Sequence, residues 1–276
     1  MKQSKRLIAA GTLIIFLGML YVSCKKENNS SIPGGQQRVS IRLSDNPVNF
    51  DAVNVDIQKI EIKILPDSCR RRNDTCAVWD TLAIKPGVYN LLDLANGNDT
   101  LLANGLTVSG NILKLRLTLG DNNSVTIDSV NYPLTLWKDS HTVDIAIRGE
   151  DVDMLNSNDL QLWLDFNAAR SIVSIRENQF VLRPFLRVWV PSHTASIKGH
   201  VEPGEAGAVV AAVFNGDTLV AIPHRHDGYF KIRGITATST DVFINATANN
   251  YKDTTITGVH LEIGKETELG TVHLHQ

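Results

Sequence analysis

The chain has 276 residues, 43% apolar and 20% charged, a balance that gives a globular protein room for two cores and excludes a collagenous or wholly disordered one. Residues 1–23 carry Lys2, Lys5 and Arg6 and no acid, so the remainder holds 24 basic against 29 acidic side chains, a net charge near −5. The main basic run, Arg70-Arg71-Arg72, is too small a surface to displace phosphate counterions, and the composition argues against nucleic acid as a partner.

Lys2, Lys5 and Arg6 precede an apolar run from Leu7 to Val22, about 16 residues against the roughly 20 that span hydrocarbon. Residues 1–23 therefore read as a cleaved export signal. Leu20-Tyr21-Val22-Ser23-Cys24 resembles the lipobox of bacterial lipoproteins, with Tyr21 standing where that family has an aliphatic residue. The resemblance implies cleavage between Ser23 and Cys24 and a lipid on the Cys24 thiol, which makes a membrane the first partner and the outer membrane of the cell envelope the expected location. The competing reading is an uncleaved signal-anchor helix with an incidental cysteine.

Residues 24–37 form a tether, KKENNSSIPGGQQ after the cysteine, polar and without apolar periodicity. Its reach as a flexible coil is roughly 20 Å. Lys25-Lys26-Glu27 resembles the charged signals that follow the lipid cysteine in surface-directed Bacteroidetes lipoproteins. Cys69 and Cys76 bracket SCRRRNDTC, a polar loop between two apolar strands, and in an exported chain they are expected to be bridged. A ring of about eight residues stabilises by roughly 2.5 kcal/mol. Two free thiols are the alternative, and a zinc site would need ligands that the neighbouring sequence lacks.

The body reads as strands. Arg38 to Leu43 and Val53 to Ile64 alternate polar and apolar with period two, as do Leu113–Leu119, Thr142–Ile147 and Gln161–Phe166. Turn clusters such as Asn96-Gly97-Asn98-Asp99 and Gly120-Asp121-Asn122-Asn123 separate them. Leu91–Ala95 and Asp151–Asn156 are expected to form a helical turn or two. The apolar run Phe180–Val190 is expected to close a first sandwich over 38–190, and a second over 191–276 follows Pro191-Ser192-His193-Thr194. Seven strand candidates lie between 196 and 274, with Asn215-Gly216 a strong hairpin signal. The expected fold is all-β, two consecutive antiparallel β-sandwiches of Greek-key type.

The segments VSIRLSDNPVNFDAVNVDIQKIEI, GVYNLLDLANGNDTLLANG, LRLTLGDNNSVTI, LDFNAARSIV and FVLRPFLRVW, in order over 38–190, resemble the domain of unknown function 4382 family of bacterial envelope proteins. SIKGHV, DGYFKIRGI and LGTVHL resemble a carboxypeptidase regulatory-like, transthyretin-type sandwich. That second resemblance implies an accessory module with no catalysis of its own.

The chain carries no G-x-S-x-G elbow, no H-E-x-x-H, no Walker loop and no G-x-G-x-x-G after a strand, so no catalytic residue and no cofactor is expected. His224 and His226 in PHRHDG can place two imidazoles on one side of a strand as a metal pair. The competing reading makes Asp227-Gly228 a hairpin turn with solvated histidines. Glu150, Asp151, Asp153 and Asp159 are oxygen-rich but lack EF-hand spacing, and read as a solvated acidic loop rather than a Ca²⁺ site. Asp45, Asp51, Asp121 and Asp165 stand beside turns or strand ends as expected caps, with Asp165 and Arg170 a conceivable pair. Trp79, Trp137, Trp163 and Trp189 fit core positions or edge platforms, and the core is the expected place for them. The leading expectation is a lipid-anchored, non-catalytic module presenting sandwiches to a glycan or protein partner. A structural fimbria-like subunit and an uncharacterised hydrolase are the alternatives.

Overall fold

A computed structural model of the chain describes residues 32–46, 50–69, 74–147 and 159–276. Among the described residues fourteen strands build the first body: β1 (Gln36–Asn46), β2 (Ala52–Pro66), β3 (Val78–Thr81), β4 (Ala83–Ile84), β5 (Gly87–Asn90), β6 (Thr100–Val108), β7 (Gly110–Leu119), β8 (Ser124–Ile127), β9 (Val130–Leu136), β10 (Thr142–Ala146), β11 (Asp159–Asn167), β12 (Ile172–Arg176), β13 (Gln179–Leu182) and β14 (Leu186–Trp189). One sheet runs β14-β11-β1-β6-β4, and the other β10-β7-β2-β8-β9-β13-β12 with β3 and β5 also on β2. The fold is an all-β sandwich, as expected.

Alternation in sequence becomes burial here. Val39, Ile41 and Leu43 of β1 are fully buried, and they meet Val53, Val55 and Ile57, then Ile60, Ile62 and Ile64 of β2. The change from odd to even positions in β2 is a phase slip that uninterrupted period-two alternation cannot contain. A bulge between Ile57 and Lys59, opposite β7, absorbs it and keeps all six side chains in the core.

Two expectations are corrected. The sheets are not purely antiparallel: β1–β11 and β13–β9 pair in parallel. Alternation reports which face is wet and is silent on strand direction. The run Phe180–Val190 is also two strands in different sheets, parted at Arg183-Pro184-Phe185, where the proline has no N–H to offer a ladder. The expected helical turn is present as a 3-10 turn at Leu91–Leu94, capped by Asn90.

The second body holds β15 (Ala195–Glu202), β16 (Val209–Phe214), β17 (Asp217–Ala221), β18 (Tyr229–Ile235), β19 (Ser239–Asn245), β20 (Thr254–His260) and β21 (Glu266–His273). They form sheets β18-β15-β21 and β17-β16-β19-β20, with β15–β21 parallel. Asn215 and Gly216 have φ of 47° and 78°, the two positive values that a type I′ hairpin between β16 and β17 requires. Ile197, Val210, Ala212, Phe230, Ile232, Val242 and Ile244 fill a separate core.

Candidate functional site

The two cores meet across a polar seam. Arg42 on β1 forms an ion pair with Asp99, and Asp99 accepts a second bond from Arg233 on β18 at 2.9 Å. Asp99 is the last residue of the NGND turn, so a segment read from sequence as punctuation is a docking loop. Its neighbours do the same work: Asn96 Nδ2 donates to Ile222 O at 2.7 Å, and Gly97, with φ of +84°, lies where a side chain would strike Lys231. Arg187 on β14 reaches the second body twice, to Asp217 at 3.5 Å and to Gly234 O at 3.3 Å.

Under the arginines lie two indoles. Trp163 and Trp189 face each other on β11 and β14 with centroids 4.8 Å apart, and the Arg233 guanidinium sits 4.2 Å above the Trp163 ring. Both tryptophans are buried, and the Trp163 indole N–H is enclosed without an acceptor. Beside them opens a cleft of about 270 Å³ walled by these rings with Lys231, Arg233, Lys265 and Glu266. Burial works to raise the Glu266 carboxyl, but hydrogen bonds from Lys231 and Lys198 outweigh it and hold the group below the usual carboxylate range. The cleft thus offers fixed charges of both signs against an aromatic floor.

Asp165, two residues along β11 from Trp163, is buried and its carboxyl is pushed up to about 7. Burial is the main cause, opposed by the Arg187 charge and a hydrogen bond from Ser44. Its register partner is Arg187, not Arg170, whose guanidinium instead covers the Phe185 ring at 3.5 Å.

The remaining candidates are placed as follows. Asp45 caps the helical turn Ala168–Ser171 through Ala168 N–H at 2.9 Å, and Asp51 accepts Ser129 N–H at 2.7 Å. Asp121 is exposed and caps nothing of that kind. The anchoring carboxylate of the LGDNN turn is the buried Asp56, which accepts both the backbone N–H and the Nδ2 of Asn122. A side chain at Gly120 would meet Asp56 Oδ2 at 2.2 Å, so the glycine in that turn makes room for it. Trp79 and Trp137 are exposed rather than in the core, Trp79 lying under Arg116 at 4.2 Å. Cys69 and Cys76 are disulfide-bonded. His224 and His226 flank the β17–β18 turn with Asp227, and the ligand atoms of the three lie within 4.8 Å of one another. Asp159 opens β11 as an exposed residue, while Ser23, Cys24, Glu150, Asp151 and Asp153 lie outside the described residues.

Compared with known proteins, residues 36–184 match the family described as domain of unknown function (DUF4382). No curated protein matches the chain. Among solved structures, it is similar to a leucine-rich repeat protein from Bacteroides thetaiotaomicron VPI-5482 at 12% identity and a TM-score of 0.18, with 87% of this chain and 26% of that one covered. It is also similar to the TIE protein of Bacillus anthracis, at 9% identity, TM-score 0.25 and coverages of 99% and 45%. A third is the shaft pilin SpaA of Lactobacillus rhamnosus GG, at 7%, 0.21, 87% and 97%. The chain spans about a quarter of the first and under half of the second, and nothing further is drawn from these likenesses.

Proposed function

The chain belongs to the DUF4382 family of domains of unknown function, and on that premise we propose that it is a non-catalytic, lipid-anchored protein that presents a locked pair of β-sandwiches to a ligand or partner at the bacterial cell envelope. The observation that carries this reading is the order along the chain: a short apolar run, Ser23-Cys24, a polar tether, then strand-built bodies holding a disulfide. The seam supports presentation, because charged pairs bridging the two bodies hold their loops in one relative geometry. The mixed-charge cleft beside Trp163 and Trp189 is the concave surface offered to a small ligand. Residues 195–274 act in this reading as a carboxypeptidase regulatory-like accessory module.

A structural, fimbria-like role is the second reading, favoured by β12. That strand ends the larger sheet of the first body, and Val173 and Ile175 on it are exposed, which suits pairing with another chain.

Replacing Cys24→Ala tests the anchor: incorporation of a labelled fatty acid into the protein is expected to disappear and the protein to leave the membrane fraction. Continued acylation would overturn the reading. Protease shaving of intact cells then separates outward display, where the bodies are digested, from a periplasmic one, where they survive.

A further inference from the structure

The turn between β17 and β18 carries chemistry that neither the anchor nor the seam uses. Its backbone is closed by its own bonds: His224 N–H donates to Tyr229 O at 3.0 Å, Gly228 N–H to His224 O at 2.8 Å, and Tyr229 N–H to Asp227 Oδ1 at 3.0 Å. Strand β15 clamps it from the side. Val201 N–H donates to Gly228 O at 2.9 Å, and Gly228 has φ of +69° where a side chain would strike Val201 O at 2.2 Å. His200, on the same strand, sets its Nδ1 2.9 Å from the Asp227 carbonyl. The backbone is fixed without help from the imidazoles of His224 and His226, which are left to project.

Within that frame the two rings lie almost parallel, 11° apart in plane with centroids 5.5 Å apart. The Asp227 carboxylate reaches both: Oδ1 is 3.5 Å from His224 Nδ1 and Oδ2 is 3.1 Å from His226 Nε2. A tetrahedral ion with bonds of about 2.0–2.1 Å holds its ligand atoms about 3.3–3.4 Å apart. Each imidazole nitrogen therefore stands near that edge length from one oxygen of the Asp227 carboxylate, and the three donors lie within 4.8 Å of one another, so a small side-chain rotation closes them on one ion. Two imidazoles with one carboxylate are a donor set for zinc, copper or nickel, whereas Ca²⁺ and Mg²⁺ prefer all-oxygen shells.

We infer that His224, His226 and Asp227 form a surface site for a divalent transition-metal ion of the Zn²⁺ class, with three protein ligands and an outward coordination position. His226 is 79% exposed, so that position faces solvent and can be completed by water or by a donor from another molecule. The site lies on the second body and is independent of the lipid anchor.

The full chain, purified in detergent without a polyhistidine tag and stripped by chelator, is titrated with Zn²⁺ against a chromophoric competitor. One ion per chain is expected, with affinity reduced at least tenfold in His226→Ala and in Asp227→Asn, and unchanged in His273→Ala. Exposure of His226 means that its variant should melt with the wild type in the absence of metal, and Zn²⁺ should raise the melting temperature of the wild type and of His273→Ala well beyond that of His226→Ala. Absence of saturable binding, or binding that persists unchanged in the His224→Ala/His226→Ala double variant, would overturn the site.

Discussion

Strand β1 shows two ways of holding a protein together on its opposite faces. Val39, Ile41 and Leu43 turn inward to a core that is dry and fully buried, while Arg42 turns toward Asp99 and, through it, to Arg233 of the second body. Strand β11 repeats the division: Leu160, Leu162, Leu164 and Phe166 face the core, and Trp163 and Asp165 face the seam. Core burial is non-directional and scales with apolar area, so many side-chain combinations satisfy it. The seam depends on direction and charge, so each partner matters singly and the whole responds to pH and salt.

The largest effect is expected in the cores. Phe166→Ala in the first and Phe230→Ala in the second should each lose about 3–5 kcal/mol of unfolding free energy, since both side chains are fully buried. Denaturant unfolding followed by tryptophan fluorescence checks this, because Trp163 and Trp189 report the seam. If each variant lowers the same single transition, seam and cores unfold together. A Phe230→Ala transition that leaves the first body's midpoint in place would show that the seam does not couple them.

Next comes Asp165, which belongs to the seam by position and to the core by burial. A carboxyl whose native value lies above its unfolded one binds its proton more tightly when folded. Its contribution is therefore complete below about pH 4 and is lost as pH rises through about 7. Across that window the loss is up to about 4 kcal/mol, reduced by whatever relaxation brings Arg187 closer. Asp165→Asn, neutral throughout, should melt near the wild type below about pH 4 and increasingly above it towards pH 8. A wild-type advantage at pH 8 would mean that the ion pair with Arg187 outweighs desolvation.

What the sequence discloses divides along the same line. The Asn215-Gly216 hairpin, the Cys69–Cys76 bridge and the inward residues of β1 are local: each is set by residues a few positions apart, and the structure places them where they were expected. The bulge in β2 was present in the letters, since Ile57 and Ile60 break parity, but only its pairing with β7 shows how the slip is absorbed. The seam was not legible. Trp163 is expected in a core and Asp165 as a cap, but what buries them is the second body, through β18 some 70 residues away. Asp99 read as a turn residue for the same reason. At the histidine turn, His224 and His226 were visible as a pair, while Asp227, read as a turn former, is also the third donor atom.

Asp99→Ala sharpens the comparison further. Removal of the carboxylate leaves two guanidiniums facing one another without their shared partner, Arg42 about one-third exposed and Arg233 one-fifth. Solvent access keeps the loss to about 1–2 kcal/mol, below that of a fully buried pair. Its expected signature is separation of the two bodies: faster protease cleavage at Pro191–His193, with both cores intact by far-ultraviolet circular dichroism. Unchanged cleavage would place the coupling in the Trp163–Trp189–Arg233 stack instead.

The smallest effect is expected at Asp217, the outermost member of the seam. It lies 3.5 Å from Arg187 but is nearly half exposed, so water and salt screen the pair. Asp217→Asn retains the oxygen that accepts Thr218 N–H and removes only the charge. Its loss should stay below about 1 kcal/mol and vanish in high salt, because Arg187 still donates to Gly234 O and faces Asp165. Melting curves at low and high ionic strength read both quantities. A larger, salt-insensitive loss would mean that the boundary between screened surface and buried seam lies outside Asp217, and that Arg187 is held from the second body as firmly as from its own.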